Sequence, residues 1–186
     1  MGADKAALPF GDETLLARVV GIVSHVAEEV WIVAREGQTL PSLGERPEVR
    51  MARDPAEGRG PLAGLAAGLG AMRAERAFVT ACDTPLLKPV LIEHLFALAE
   101  GHTAAVPEVG GHQMTMCAIY AKALLPATAR LLARDELRPR MLLREPGVRI
   151  VSEDDLRAVD PTLDSLRDCN TPAAYEAALR VAGIRG

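Results

Sequence analysis

Apolar residues recur in steps of three and four from position 15 onward. Leu15, Val19, Ile22 and Val26 form one row, with Leu16, Val20 and Val23 beside it. This period predicts an amphipathic helix, capped at its start by Asp12 or Thr14. Val30-Trp31-Ile32-Val33-Ala34 follows, short, apolar and rich in β-branched side chains, as in a buried strand. Residues 49–53 alternate apolar with charged and predict a second, less buried strand. Gly60-Pro61 opens a helix to about Met72, because proline in a first helical turn gives up an N–H that has no partner there. Gly64 and Gly68, four apart, leave one face of that helix flat. Residues 77–82 read as a third strand, stopped by Asp83-Thr84-Pro85, and Pro89 starts a helix to about Ala99.

The second half is less regular. Residues 103–107 and 114–120 predict strands, with Gly110-Gly111 as a turn between them. Residues 123–134 predict a helix and 148–151 a short strand. A last helix runs from Pro172 to about Val181, with Thr171 as its N-cap and Gly183 placed to end it. Strands alternating with helices predict an α/β fold, a mostly parallel sheet covered on both faces. Such sheets bind ligands at the carboxyl ends of their strands. The places to look for chemistry are therefore Ala34, Arg53-Asp54 and Cys82-Asp83.

Composition narrows this. The chain has 186 residues, 49% of them apolar and 25% charged, enough for one globular domain that buries roughly 70% of its unfolded surface without staples. Its net charge of −4 and lack of a basic tract argue against a general nucleic-acid binder. Cys82, Cys117 and Cys169 are far apart with no Cys-x-x-Cys pair, the pattern of free thiols in a reducing compartment and not of a zinc ribbon. The longest apolar run, residues 62–72, is well short of the ~20 residues that span a membrane. No secretory signal opens the chain. A soluble cytoplasmic protein is expected.

Asp83 is the first candidate. A carboxylate at the rim of a sheet can hold a hard cation such as Mg²⁺, which takes few carboxylates and keeps water and phosphate oxygens as its other ligands. Capping the following turn or helix is the commoner role for an Asp in this position. Asp54 also ends a strand and leads through Glu57-Gly58-Arg59 to Gly60-Pro61, where a helix start offers N–H groups to a phosphate. Lys5 is a lone cation that can act as a point charge on phosphate. Asn170 sits in the turn before the last helix, and His112 follows the Gly110-Gly111 turn.

Four segments, taken in order, resemble the molybdenum cofactor guanylyltransferases, within the wider nucleotidyltransferase group of three-layer, Rossmann-like fold. Met1-Gly2-Ala3-Asp4-Lys5 resembles the end of the signature L-A-G-G-x-S-x-R-M-G-x-D-K. Asp54 with Gly60-Pro61-Leu62-Ala63-Gly64 resembles D-x(n)-G-P-L-A-G. Cys82-Asp83-Thr84-Pro85 resembles C-D-T-P, and Asn170-Thr171-Pro172 the closing N-T-P turn. The resemblance implies transfer of GMP from GTP to the phosphate of a molybdenum–pterin cofactor, with release of pyrophosphate. Lys5 would bind nucleotide phosphate, Asp54, Gly60, Pro61 and Asn170 would line the nucleotide site, and Asp83 would hold Mg²⁺. Lys5 and Asp83 would be the catalytic pair. Arg59 is a further phosphate candidate, and His112 and residues 138–144 are candidates for the acceptor phosphate. Residues 1–186 would form a single domain, with its nucleotide half at about 1–100 and its acceptor half at about 101–186. Partners would be GTP, the molybdopterin-type cofactor, and molybdenum insertion or acceptor enzymes, with neither nucleic acid nor membrane.

This sequence departs from the family pattern in two ways. It begins inside the first signature, so the first central strand and its glycine-rich cradle are expected to be missing. Met1 would then be an internal Met, with the native start roughly 10–20 residues upstream, enough for one strand and its loop. Many relatives carry Asn after the second strand, where this chain has Val33-Ala34-Arg35-Glu36. That leaves a cytidylyl- or sugar-phosphate nucleotidyltransferase, or a non-catalytic truncated homologue, as alternatives. Thr84 in C-D-T-P favours guanylyl over cytidylyl transfer.

Overall fold

The computed structural model describes residues 4–54 and 60–184. Met1–Ala3 and the 55–59 stretch with Arg59 lie outside the described residues. Asp4 accepts the Ala6 N–H at 3.1 Å and starts a 3₁₀ turn at Lys5–Ala7. A two-residue hairpin of β1 (Pro9–Phe10) and β2 (Glu13–Thr14) leads into α1 (Leu15–Ser24). Of the two caps predicted, Thr14 serves: its Oγ1 accepts the Ala17 N–H. β3 (Val30–Arg35) and β4 (Val49–Asp54) pair in parallel, Val30 opposite Val49 and Arg35 opposite Asp54. Next come α2 (Gly60–Ala71), β5 (Arg76–Thr80) and α3 (Pro89–Leu98). β6 (Ala104–Val109), β7 (His112–Gln113), β8 (Cys117–Ala121) and α4 (Leu125–Leu132) open the second half. A 3₁₀ turn at Pro139–Arg144, β9 (Val148–Val151), α5 (Glu153–Arg157), a 3₁₀ turn at Asp164–Leu166 and α6 (Pro172–Val181) complete the order.

β6 lies between β8 and β9. It runs parallel to β9 and antiparallel to β8, which is also antiparallel to β5. Loop length explains the direction of β8. The chain reaches it from β6 through the tight β7 hairpin at Gly110-Gly111, and a parallel neighbour needs a crossover of a dozen or more residues. β5 and β6, joined through α3, do run the same way. The fold is thus α/β with helices on both faces, as predicted, around a sheet that mixes parallel and antiparallel pairs.

The layers follow from strand alternation. Ala105 of β6 and Ile119 of β8 face Leu91, Ile92 and Leu95 of α3, together with Val151 and Leu156. Their neighbours Val106 and Tyr120 face the opposite way, onto Leu62, Leu65 and Leu69 of α2 and onto Leu142. Tyr120 is fully buried, and its hydroxyl donates to the Thr115 carbonyl at 2.9 Å. β3 is covered likewise, Ile32 packing with Leu16 and Val20 of α1 while Val33 meets the glycine face of α2. Among the described residues β3 has no strand partner but β4, and β5 none but β8. Their other edges carry no described strand, and every residue of β5 is only half-buried.

β5 ends two residues before the predicted strand does. Thr84 folds back there: its Oγ1 donates to the Ala81 carbonyl at 3.1 Å and lies 2.9 Å from Thr80 Oγ1. No helix of the described residues is long and apolar enough to cross a membrane.

A methyl at position 68 would lie 3.3 Å from Val33 Cγ2, whereas one at position 64 would lie 3.9 Å from Val33 Cγ1. Alanine exceeds glycine in helix propensity by roughly 0.8–1 kcal/mol. Gly64→Ala should therefore raise urea stability by up to about that amount, while Gly68→Ala should gain less or lose. Equal gains would show that α2 does not press on β3 as described.

Candidate active site

Strand β5 ends at Thr80, and Asp83 stands in the turn that follows it. The carboxylate is mostly buried, its side chain 12% exposed, and it meets the Lys5 ammonium, 30% exposed, with Nζ to Oδ2 at 2.8 Å. Lys5 also donates to Asn170 Oδ1. The main chain binds the same two segments: the Cys169 N–H donates to the Asp83 carbonyl at 2.8 Å. Asn170 is shaped by its own turn, where its N–H donates to Asp168 Oδ1 at 3.3 Å, and Thr171 and Pro172 cap and open α6. Three candidates from positions 5, 83 and 170 thus converge. On the far side of Lys5, Asp4 Oδ2 accepts Gln38 Nε2 at 2.9 Å, so the end of β3 reaches the same segment.

Burial lowers the pKa of Lys5, but the hydrogen bond to Asp83 and the charges of Asp83 and Asp168 outweigh it, so Lys5 titrates above its ordinary 10.5. It is a cation at any physiological pH. Because Lys5 keeps part of its side chain in solvent, this half-buried pair is screened and contributes on the order of 1 kcal/mol. Its geometric effect, holding an ammonium against a carboxylate and an amide, is the larger one. Cys82 is pushed up to about 11 by burial and then by the Asp83 and Asp4 charges, and Cys169 to about 11 by burial and then by Asp83. Both thiols near the site are neutral.

The other candidates surround the β3–β4 pair. Asp54 is buried at the end of β4, opposite Arg35. Beside it Arg53 Nη1 donates to the Arg35 carbonyl at 3.0 Å. Gly60 and Pro61 start α2. Gly60 has φ +68°, and a methyl there would lie 3.0 Å from the Leu137 carbonyl oxygen, so both backbone and space demand glycine. The same carbonyl accepts the Leu62 N–H at 3.2 Å. The start of α2 is therefore less open to a phosphate than its sequence predicts, since Pro61 has no N–H and that of Leu62 is taken. Arg138 is exposed and follows Leu137 directly, so the basic 138–144 stretch begins beside the nucleotide-side candidates. His112 is exposed in the β6–β7 hairpin. Thr84 is buried and engaged with Thr80 and Ala81, a turn role. The main-chain ties from Cys169 and Leu137 leave no signal in sequence.

Asp83 and Asn170 offer hard oxygen donors, which suits Mg²⁺. The described residues hold no group of three or more His, Cys, Asp or Glu able to cage a metal. A cation that draws most of its ligands from water and phosphate fits this donor set; a soft, thiolate-bound metal does not.

The α/β sheet covered on both faces, with carboxylate, ammonium and amide gathered beyond the end of β5, suits the class of Rossmann-like nucleotidyltransferases. The chain belongs to the MobA-like NTP transferase family, whose model matches residues 1–153. It is 34% identical over 178 residues to the molybdenum cofactor guanylyltransferase of Desulfosudis oleivorans, covering 95% of this chain and 86% of that one. It is 31% identical over 173 residues to a probable enzyme of that name from Pelotomaculum thermopropionicum, covering 93% and 82%. Among solved structures, molybdopterin-guanine dinucleotide biosynthesis protein A from Archaeoglobus fulgidus shares the fold at TM-score 0.82, with 24% identity over 98% of this chain and 92% of that one. The 2-C-methyl-D-erythritol 4-phosphate cytidylyltransferase from Thermus thermophilus shares it at 0.67, with 20% identity over 97% and 94%.

The Lys5 ammonium, followed by NMR, should titrate above 10.5, and Asp83→Asn should bring that midpoint down. Because the folded value is raised, the pair's contribution to stability is complete below about pH 10.4, the unfolded value, and fades as pH rises through the folded one. An unchanged midpoint in the folded variant would mean that Asp83 does not hold Lys5.

Proposed function

We propose that this chain transfers GMP from GTP to the terminal phosphate of a molybdenum–pterin cofactor and releases pyrophosphate. The observation that carries the reading is the meeting of Lys5, Asp83 and Asn170 at the strand ends, in a family whose curated relatives bear the name guanylyltransferase. In this reaction an oxygen of the acceptor phosphate forms a bond to the α-phosphorus of GTP. The bond from that phosphorus to the bridging oxygen breaks, and pyrophosphate leaves with its electron pair. Catalysis of such a step is mostly alignment and neutralisation of charge.

Each residue then has a role. Lys5 places its positive charge on the nucleotide phosphates, and Asn170 orients it. Asp83 would hold Mg²⁺, which would supply neutralisation of phosphate charge. Asp54, with Gly60 and Pro61, lines the nucleotide side. Residues from 1 to about 100 form the nucleotide half and those from about 101 to 186 the acceptor half, which contributes Asn170 to the Lys5–Asp83 pair. Exposed Arg138 contacts ligand phosphate at their boundary. The product passes to molybdenum insertion or acceptor enzymes in the cytoplasm.

A pyrophosphate-release assay with Mg²⁺, the pterin acceptor and each of GTP, CTP and ATP tests this. GTP should be preferred, and Asp83→Asn should abolish release while the protein stays folded. A preference for CTP would replace the guanylyl reading with the cytidylyl one. Retained Mg²⁺-dependent turnover in Asp83→Asn would remove Asp83 from its role. A nucleotide at a hundredfold excess over its Kd should also stabilise the fold by about 2.7 kcal/mol; no thermal shift with any nucleotide would speak for a non-catalytic chain.

A further inference from the structure

A second ionic cluster joins Lys88 to the 160–165 loop. Asp160 is completely buried, and its Oδ1 accepts the ammonium of Lys88 at 2.5 Å. Its Oδ2 accepts the Ser165 N–H at 2.9 Å, and the buried Ser165 Oγ accepts the Lys88 N–H at 3.0 Å. Lys88 therefore grips the 160–165 loop through both main chain and side chain. Burial alone would raise the pKa of Asp160, but the Lys88 and Ser165 hydrogen bonds overcome it and hold the carboxyl below its ordinary value.

The placement of the cluster gives it a consequence at the site. Lys88 stands five residues after Asp83, and Asp160 ten residues before Asn170. The 83–88 and 160–170 segments are thus tied at two points, by Lys88 with Asp160 and Ser165 at one end and by Asp83 with Cys169 at the other. Within the first tie, between Asp160 and Ser165, Leu163 is held at φ +54° with its side chain in the core cluster that includes Leu87 and Leu91. A leucine keeps that conformation only where its surroundings impose it. Only Asp160 of the pair is buried; the Lys88 side chain is 40% exposed, so the attraction is screened by solvent and adds little stability. The larger effect of the pair is geometric, because it fixes which atoms of the loop Lys88 reaches.

We infer that Lys88 and Asp160 are positioning residues that set the spacing between Asp83 and Asn170 and so the seat of the Lys5 ammonium. The effect on turnover rests on the proposed guanylyl transfer; the effect on Lys5 and Asn170 does not.

The test compares four variants by NMR and kinetics. Asp160→Asn and Lys88→Met break the pair. Lys88→Arg keeps the charge. The double variant Lys88→Met/Asp160→Leu removes both charges together, so that neither is left without its partner. Asp160→Asn, Lys88→Met and the double variant should each move the Asn170 side-chain amide signals and lower the Lys5 titration midpoint. They should also lower kcat by about ten- to hundredfold, the scale of a small misplacement of reacting groups, with KM for GTP within about twofold. Lys88→Arg should recover most of each effect. If Asp160→Asn or Lys88→Met fails to fold, the double variant decides. A folded double variant with wild-type Asn170 signals, Lys5 midpoint and kcat overturns the inference. Wild-type protein that transfers no GMP, with these NMR shifts still present in the variants, overturns the function and leaves the positioning role standing.

Discussion

Asp83 binds its surroundings through two groups at once. Its carboxylate takes the Lys5 ammonium, and its carbonyl takes the Cys169 N–H. Strand β5 can present that residue only because the chain stops pairing at Thr80 and turns, with Thr84 satisfying the Ala81 carbonyl. Through Asp83 the beginning, middle and end of the chain meet: Lys5 is 78 residues before Asp83 and 165 before Asn170. Contacts so distant in sequence carry a large closure entropy. They exist because the core has already placed the three segments. α3 is buried on the sheet just beyond Asp83, and α6, which follows Asn170, packs Ala178 with Phe10, Leu15, Leu86 and Cys169.

The regular elements were legible because each carries a period. α1 shows the helical spacing, β3 the short apolar run, and α2 and α6 the proline that opens them, and all four lie within a residue or two of their predicted bounds. What escaped notice is too short or too local to have a period. The β1–β2 hairpin has two residues per strand and α5 only five residues. The antiparallel course of β8 depends on the length of its connection, although Gly110-Gly111 marked the turn that sets it.

The site was legible to the extent that its residues stand at strand ends or in ordered motifs. Asp83, Lys5 and Asn170 were all singled out, and the structure brings them together. Backbone contacts had no such signal. The capping of α2 by the Leu137 carbonyl, with Gly60 pressed against it, joins positions more than seventy residues apart through groups common to every residue. Lys88 and Asp160 were missed for another reason: a lysine before a helix and an aspartate in a loop are ordinary surface residues in sequence, and only the burial of Asp160 makes them a pair.

The electrostatics around Lys5, Asp83 and Asn170 narrow the chemistry of the site. A covalent route would need a nucleophile, and the nearest thiols, Cys82 and Cys169, are each raised to about 11 by burial and by the Asp83 charge. A thiolate beside Asp83 would place two negative charges together in a half-buried setting. A general-base route through Lys5 would need a neutral amine, yet Asp83 holds it charged above pH 10.5. Neither residue type is thus available for proton abstraction or covalent attack at neutral pH. What Lys5, Asp83 and Asn170 can supply is a fixed cation, a fixed anion and a hydrogen-bonding amide in set positions. These are the requirements of a displacement at phosphorus, where reactants carry their own nucleophile and leaving group and the protein aligns and neutralises them.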